Sequence, residues 1–123
     1  MNLSEYKGMT KPKEQALVRQ INDYLTPLER MKRLAFIRLN TGAFVGEYKG
    51  KSRFVKYGKT GWSDFIIFLS GVTLFIECKA GDNKQTAEQS AFEKLITGVN
   101  IYNAYRVVRT YEEFIGMLER WEK

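Results

Sequence analysis

The sequence predicts an α/β protein in which a mixed β-sheet is flanked by helices in the order αβββαβα. Three observations predict it. Gly61 to Lys79 holds two apolar, β-rich runs joined by Ser70-Gly71, the pattern of a β-hairpin. Both runs are apolar on both faces, which suits the middle of a covered sheet. A helical pattern then separates the hairpin from a later strand, which permits a parallel crossover.

The elements follow in order. Residues 1–10 carry no periodic pattern and are expected to be loosely held. Pro12 suits the first position of a helix with Glu14 in its first turn. Leu17, Ile21, Tyr24, Leu25 and Leu28 recur at helical spacing as a core-facing stripe, and Pro27 is expected to end or kink the helix. Leu34–Leu39 reads as a first strand, closed by Asn40-Thr41-Gly42. From Ala43 to Gly61 two readings stay open, a short hairpin or a long mobile loop.

In the central hairpin a two-residue turn pairs Leu69 with Val72 and sets Asp64 opposite Glu77. One face carries Phe65, Ile67, Leu69, Val72, Leu74, Ile76 and Cys78, and the other carries Ile66, Phe68, Thr73 and Phe75. Ala80–Gln85 is a polar loop. Thr86 through Ile96 is a helix opened by a Thr86–Gln89 capping box and stopped at Gly98, with Phe92, Leu95, Ile96 and Val99 on its apolar face. Ala104–Arg109 is the last strand. Thr110 and Glu113 open a final helix with Phe114, Met117, Leu118 and Trp121 inward, Trp121 serving either core or interface.

At 123 residues, with 44% hydrophobic and 14% aromatic content, the chain is expected to form one domain spanning 1–123. A formal charge of +6 favours polyanionic partners, nucleic acid first. Histidine is absent, which removes imidazole bases, Ser-His and Cys-His pairs and His-ligated zinc. A single cysteine excludes an internal disulfide and any multi-cysteine metal site. With no signal peptide and no long apolar run, an intracellular, cytoplasmic protein without membrane contact is expected.

The chemistry concentrates at one end of the hairpin. Asp64, Glu77 and Lys79 project from one face, and two carboxylates facing each other across a ladder repel. A divalent cation removes that repulsion. Oxygen ligands suit Mg²⁺ or Mn²⁺, and such an ion can polarise a phosphodiester and activate water. Each residue also has a plain reading: Asp64, Glu77 and Lys79 as solvated strand ends, Glu14 as a favourable charge at a helix N-terminus, Gln89 as a capping partner alone. The basic segment with Lys49, Lys51, Arg53, Lys56, Tyr57 and Lys59 is either a solvated loop or a DNA-backbone contact, with Tyr48, Phe54, Tyr57 or Trp62 available to stack on bases.

Asp64 followed by Glu77-Cys78-Lys79 resembles the motif of the PD-(D/E)xK nuclease superfamily, with Ser63 where a proline is usual. Glu14, Gly61-x-x-Asp64, Glu77-x-Lys79, Gln89 and Val107-Val108-Arg109-Thr110 together resemble its VRR-Nuc branch, the virus-type replication-repair nucleases, in stand-alone form. The resemblance runs from about Lys13 to Leu118, with a slightly longer stretch than usual at Ile101–Asn103. It implies a restriction-endonuclease-like core. It also implies Asp64, Glu77 and the Cys78 carbonyl as metal ligands, Glu14 supporting the metal through water, Lys79 as the catalytic lysine, and Gln89 orienting Lys79 or the attacking water. The activity implied is a Mg²⁺- or Mn²⁺-dependent endonuclease on branched or structured DNA, resembling a Holliday-junction resolvase, as a homodimer, in the cytoplasm (of the host, if virus-encoded). A non-catalytic nucleic-acid-binding module and a sequence-specific restriction-like nuclease are the alternatives.

Overall fold

The computed structural model describes residues 12–39, 43–48, 51–56 and 61–122, with side chains over 13–39 and 61–122. The expected loose segment at 1–10 and the Asn40–Gly42 turn lie outside them.

Helix α1 (Pro12–Arg30) buries Leu17, Val18, Ile21, Leu25 and Leu28 along one stripe. The helix runs through Pro27 to Arg30, so it does not end at the proline. Pro27 withholds one N–H from the last turns, but buried Leu28 ties that turn to the core. The helix closes in a Schellman pattern: Arg33 N donates to Leu28 O at 3.0 Å and Lys32 N to Glu29 O at 2.9 Å, with Lys32 at φ 61°.

Strand β1 (Ala35–Arg38) follows, then β2 (Ala43–Tyr48) and β3 (Lys51–Lys56). β2 and β3 pair antiparallel as a separate two-stranded sheet, so the hairpin reading of this region holds. Beyond them come β4 (Phe65–Leu69), β5 (Val72–Cys78), α2 (Ala87–Val99), β6 (Asn103–Val108) and α3 (Tyr111–Glu122). The main sheet has the order β1-β4-β5-β6, antiparallel except for the parallel β5–β6 pair. With the β2–β3 hairpin set aside, the chain follows the expected αβββαβα order.

β4 and β5 are the two central strands. Leu69 pairs with Val72, and Gly71 at φ 80° makes the turn that glycine alone enters without strain. Phe65, Ile67, Leu74, Ile76 and Cys78 join α1 and α3 in the larger core. Phe75 packs with Phe92, Ile96 and Tyr105 beneath α2, with Ile66 against them. The sheet is thus covered on both sides over most of its area. Phe68, expected on a buried face, is half exposed, because α2 covers the other end of that face.

Helix α2 also differs from its expected form. It continues through Gly98 to Val99 and ends at Asn100, whose side chain accepts from Tyr102 N. Gly98 has open space where a Cβ would stand, so it imposes no stop. Phe92 and Ile96 are buried, but Leu95 and Val99 are exposed, because the sheet beneath is narrower than the apolar face. On α3, Thr110 Oγ1 caps Glu113 N at 3.1 Å, and Phe114, Met117 and Leu118 are buried. Trp121 packs on the core edge under the Arg106 guanidinium, 5.7 Å from the ring centre. No described helix is long and apolar enough to cross a membrane.

Candidate functional site

The register brings the acidic residues together. Phe65 pairs with Ile76 as the last rung of the β4–β5 ladder, and Asp64, in the bend just before it, donates its N–H to Ile76 O at 2.9 Å, one residue out of that register. Its carboxylate then turns across to β5, where Oδ2 accepts from Cys78 N at 2.7 Å. That bond sets the Asp64 carboxyl against Glu77 at the end of the sheet's central pair.

Glu77 is only 5% exposed. Its Oε2 accepts from Gln89 Nε2 at 3.2 Å, while Oε1 is buried and meets no hydrogen-bond donor among the described residues. Two ionised carboxylates are acceptors only, so a proton or a cation must stand between them. Burial, reinforced by the Asp64 charge, pushes Glu77 up to about 9, and Lys79 opposes this only in part. Asp64 is also raised by burial, against the counter-effect of the Cys78 N–H.

Lys79 is 7% exposed, with its N–H on Val108 O at 3.0 Å, so the parallel β6 strand holds it in line with Glu77. Its ammonium lies near enough to draw both acids downward. Cys78 is 1% exposed with its thiol in the larger core, and burial pushes the thiol up, out of reach of thiolate chemistry.

Gln89 carries two duties. Its Oε1 accepts from Thr86 N at 2.9 Å and its backbone N–H donates to Thr86 Oγ1 at 3.2 Å, completing the capping box. With the oxygen committed to the cap, the amide nitrogen must face away, toward Glu77. The helix cap therefore fixes the orientation of a site residue.

Glu14 reaches the same end of the sheet from α1. Its Oε1 accepts from Ala80 N at 3.2 Å and Asn83 Nδ2 at 3.4 Å, and its charge pushes both Asp64 and Glu77 upward. Among the described residues no three Asp, Glu, Cys or His side chains stand close enough to hold one ion directly. Asp64 and Glu77 are thus the inner pair, and Glu14 stands beyond them.

The structure gives duties around the site that the sequence pattern did not assign to Gly61, Trp62, Ser63 and Asn83. Gly61, at φ 89°, lets the chain before Asp64 approach α2 so closely that a Cβ there would lie 2.5 Å from Glu88 O. Ser63, wholly buried, donates to Phe65 O at 3.0 Å, and Trp62 lies on Phe92 with ring centres 4.7 Å apart. Asn83 sits in a polar loop whose composition signals only a turn. Of the basic candidates, Lys49, Tyr57 and Lys59 lie outside the described residues, and Lys51, Arg53 and Lys56 are described in backbone alone, on β3.

The donor set fits a hard divalent cation: two close carboxylates, one buried oxygen without a donor, and a lysine buried along most of its length beside them. No protein-family model and no curated protein matches the chain.

Proposed function

We propose that the chain is a Mg²⁺- or Mn²⁺-dependent endodeoxyribonuclease of the PD-(D/E)xK type, VRR-Nuc branch, that cuts branched or structured DNA in replication, repair or recombination. The observation that carries this reading is the buried, donorless Oε1 of Glu77 beside the Asp64 carboxyl. A bound cation supplies Lewis acidity to a phosphodiester oxygen and lowers the pKa of a bound water. Asp64, Glu77 and the Cys78 carbonyl would hold that ion. Gln89 keeps Oε2 of Glu77 on the protein side, so the other oxygen is the ligand. Lys79, mostly buried beside the pair, would stabilise negative charge on the phosphate with its ammonium. Glu14 supports the cation's water shell. The +6 charge draws the polyanion in. A cytoplasmic homodimer would place two such sites on paired strands of one branched DNA.

The test is cleavage of four-way-junction, flap and linear DNA with Mg²⁺, Mn²⁺ or chelator. Junction or flap cutting that needs metal and is lost in Asp64→Ala is the expected result. Binding without cutting on every substrate would replace the enzyme with an accessory module. Cutting of linear duplex at defined sequences would make it a restriction-like nuclease.

A separate expectation concerns β3. Neutralising Lys51, Arg53 and Lys56 together should weaken DNA binding and flatten its dependence on salt, by roughly one unit of log–log slope for each phosphate left without its cationic side chain. An unchanged affinity and slope would leave the basic segment as solvated surface.

A further inference from the structure

We infer that Asn83 and Arg109 form a brace that sets Glu14 in place as the outer acidic member of the cation site. The inference rests on the nuclease reading but concerns residues that the reading leaves without a role.

The brace is built from the loop after β5. Asn83 N donates to Ala80 O at 3.1 Å, closing a turn in which Gly81 takes φ 52°. The same turn presents two donors to Glu14 Oε1, the Ala80 N–H and the Asn83 side-chain amide. A polar loop of this kind has no apolar anchor of its own. Arg109, just beyond β6, supplies one: its Nη1 donates to Gly81 O at 2.8 Å and to Asn83 O at 2.7 Å. One guanidinium nitrogen thus ties the end of β6 to the loop that grips α1 through Glu14. Thr110, next in the chain, caps α3, so Arg109 springs from a fixed point.

The three acids share one arrangement. Asp64 has one oxygen held by Cys78 N–H, Glu77 has one held by Gln89, and Glu14 has one held by the loop. Each keeps its second oxygen for another partner. Glu14 and its loop donors are far apart in sequence, so their meeting depends on the brace. Asn83 and Arg109 are therefore positioning residues that act through Glu14.

The test measures Mn²⁺ binding, by calorimetry or by loss of the free-ion paramagnetic resonance signal, alongside thermal unfolding in chelator. Asn83→Ala and Arg109→Ala should each weaken Mn²⁺ binding about 10- to 100-fold, the usual loss when a residue behind a ligand is removed. Arg109→Lys, which keeps a charged donor for the two carbonyls, should recover most of that affinity. In a Glu14→Gln background, Asn83→Ala should cost no further affinity. Equal losses with and without Glu14, or undiminished binding in both alanine variants, would overturn the brace. So would a loss of Mn²⁺ binding no larger than the general loss of folded protein seen on melting. Wild-type protein that binds Mn²⁺ yet cuts no DNA would overturn the nuclease reading while leaving the brace to stand on its own result. Wild-type protein that binds no Mn²⁺ would overturn both.

Discussion

Glu77→Gln should abolish metal-dependent DNA cleavage, by roughly 10³-fold or more, and at the same time raise the melting temperature of the metal-free protein above neutral pH. The loss follows from removing a charged ligand at the point where charge must be stabilised. The gain follows from what Glu77 costs the fold. Its folded-state value of about 9 lies well above the ordinary 4.5, so the native state holds its proton more tightly than the unfolded chain does. Stability is then highest in acid and declines as pH rises from about 4.5 toward about 9, by up to ~1.4 kcal/mol for each pH unit per group. Glutamine is the same shape, can accept from Gln89 and can donate to Asp64, and has no proton to lose. Thermal unfolding in chelator from pH 5 to 9 should show a falling curve for the wild type and a shallower one for the variant. Asp64, also raised, preserves part of the slope. At pH 8 a gain on the order of 5–10 °C is expected for a domain of this size. A variant that melts lower than wild type at that pH, or that still cuts DNA, would contradict the role assigned to Glu77. The conflict is physical: on the proposed reading a cation would relieve the repulsion and burial that the pair bears without one.

Gly61→Ala should be the most damaging small substitution near the site. Two costs add. At φ 89° any side chain is strained, and the new Cβ would stand 2.5 Å from Glu88 O, a backbone atom at the start of α2 that cannot swing aside. A loss of about 2–4 kcal/mol is expected from denaturant unfolding. Moving α2 also moves Gln89 away from Glu77, so activity should fall further than stability alone explains. Gly81→Ala is the internal control. Gly81 has φ 52°, but nothing lies within 4 Å of a Cβ there, so its cost should stay near ~1 kcal/mol. Equal costs at the two glycines would show that the close approach to Glu88 is unimportant.

Much of this arrangement is legible in the residues. The Ser70-Gly71 turn and the two-sided apolar runs put β4 and β5 in the middle of a sheet, in the register that the two-residue turn requires; that register ends at Phe65–Ile76, and Asp64 lies in the bend just before it. The Thr86–Gln89 spacing announced a cap. These signals are local, carried by neighbours in the chain. Where local rules misled, tertiary packing had overridden them. Pro27 did not stop α1 because Leu28 is buried beyond it, and Gly98 did not stop α2 because nothing there required a left-handed residue. Leu95 and Val99 fit the apolar face of α2 but overhang the sheet beneath it.

The sequence by itself determined the mixed α/β class, the central hairpin with its register, and the pairing of two acids that a protein without histidine can reconcile only through a proton or a cation. Those follow from alternation, turn chemistry and charge, which act over a few residues. Only the tertiary structure decided how the acids are held. Glu14 meets Asn83 across most of the chain, Arg109 grips a loop that precedes it by a whole helix and strand, and Gly61 admits Glu88 at backbone distance. Contacts between distant segments depend on how elements pack against the sheet, and no short-range pattern encodes that packing.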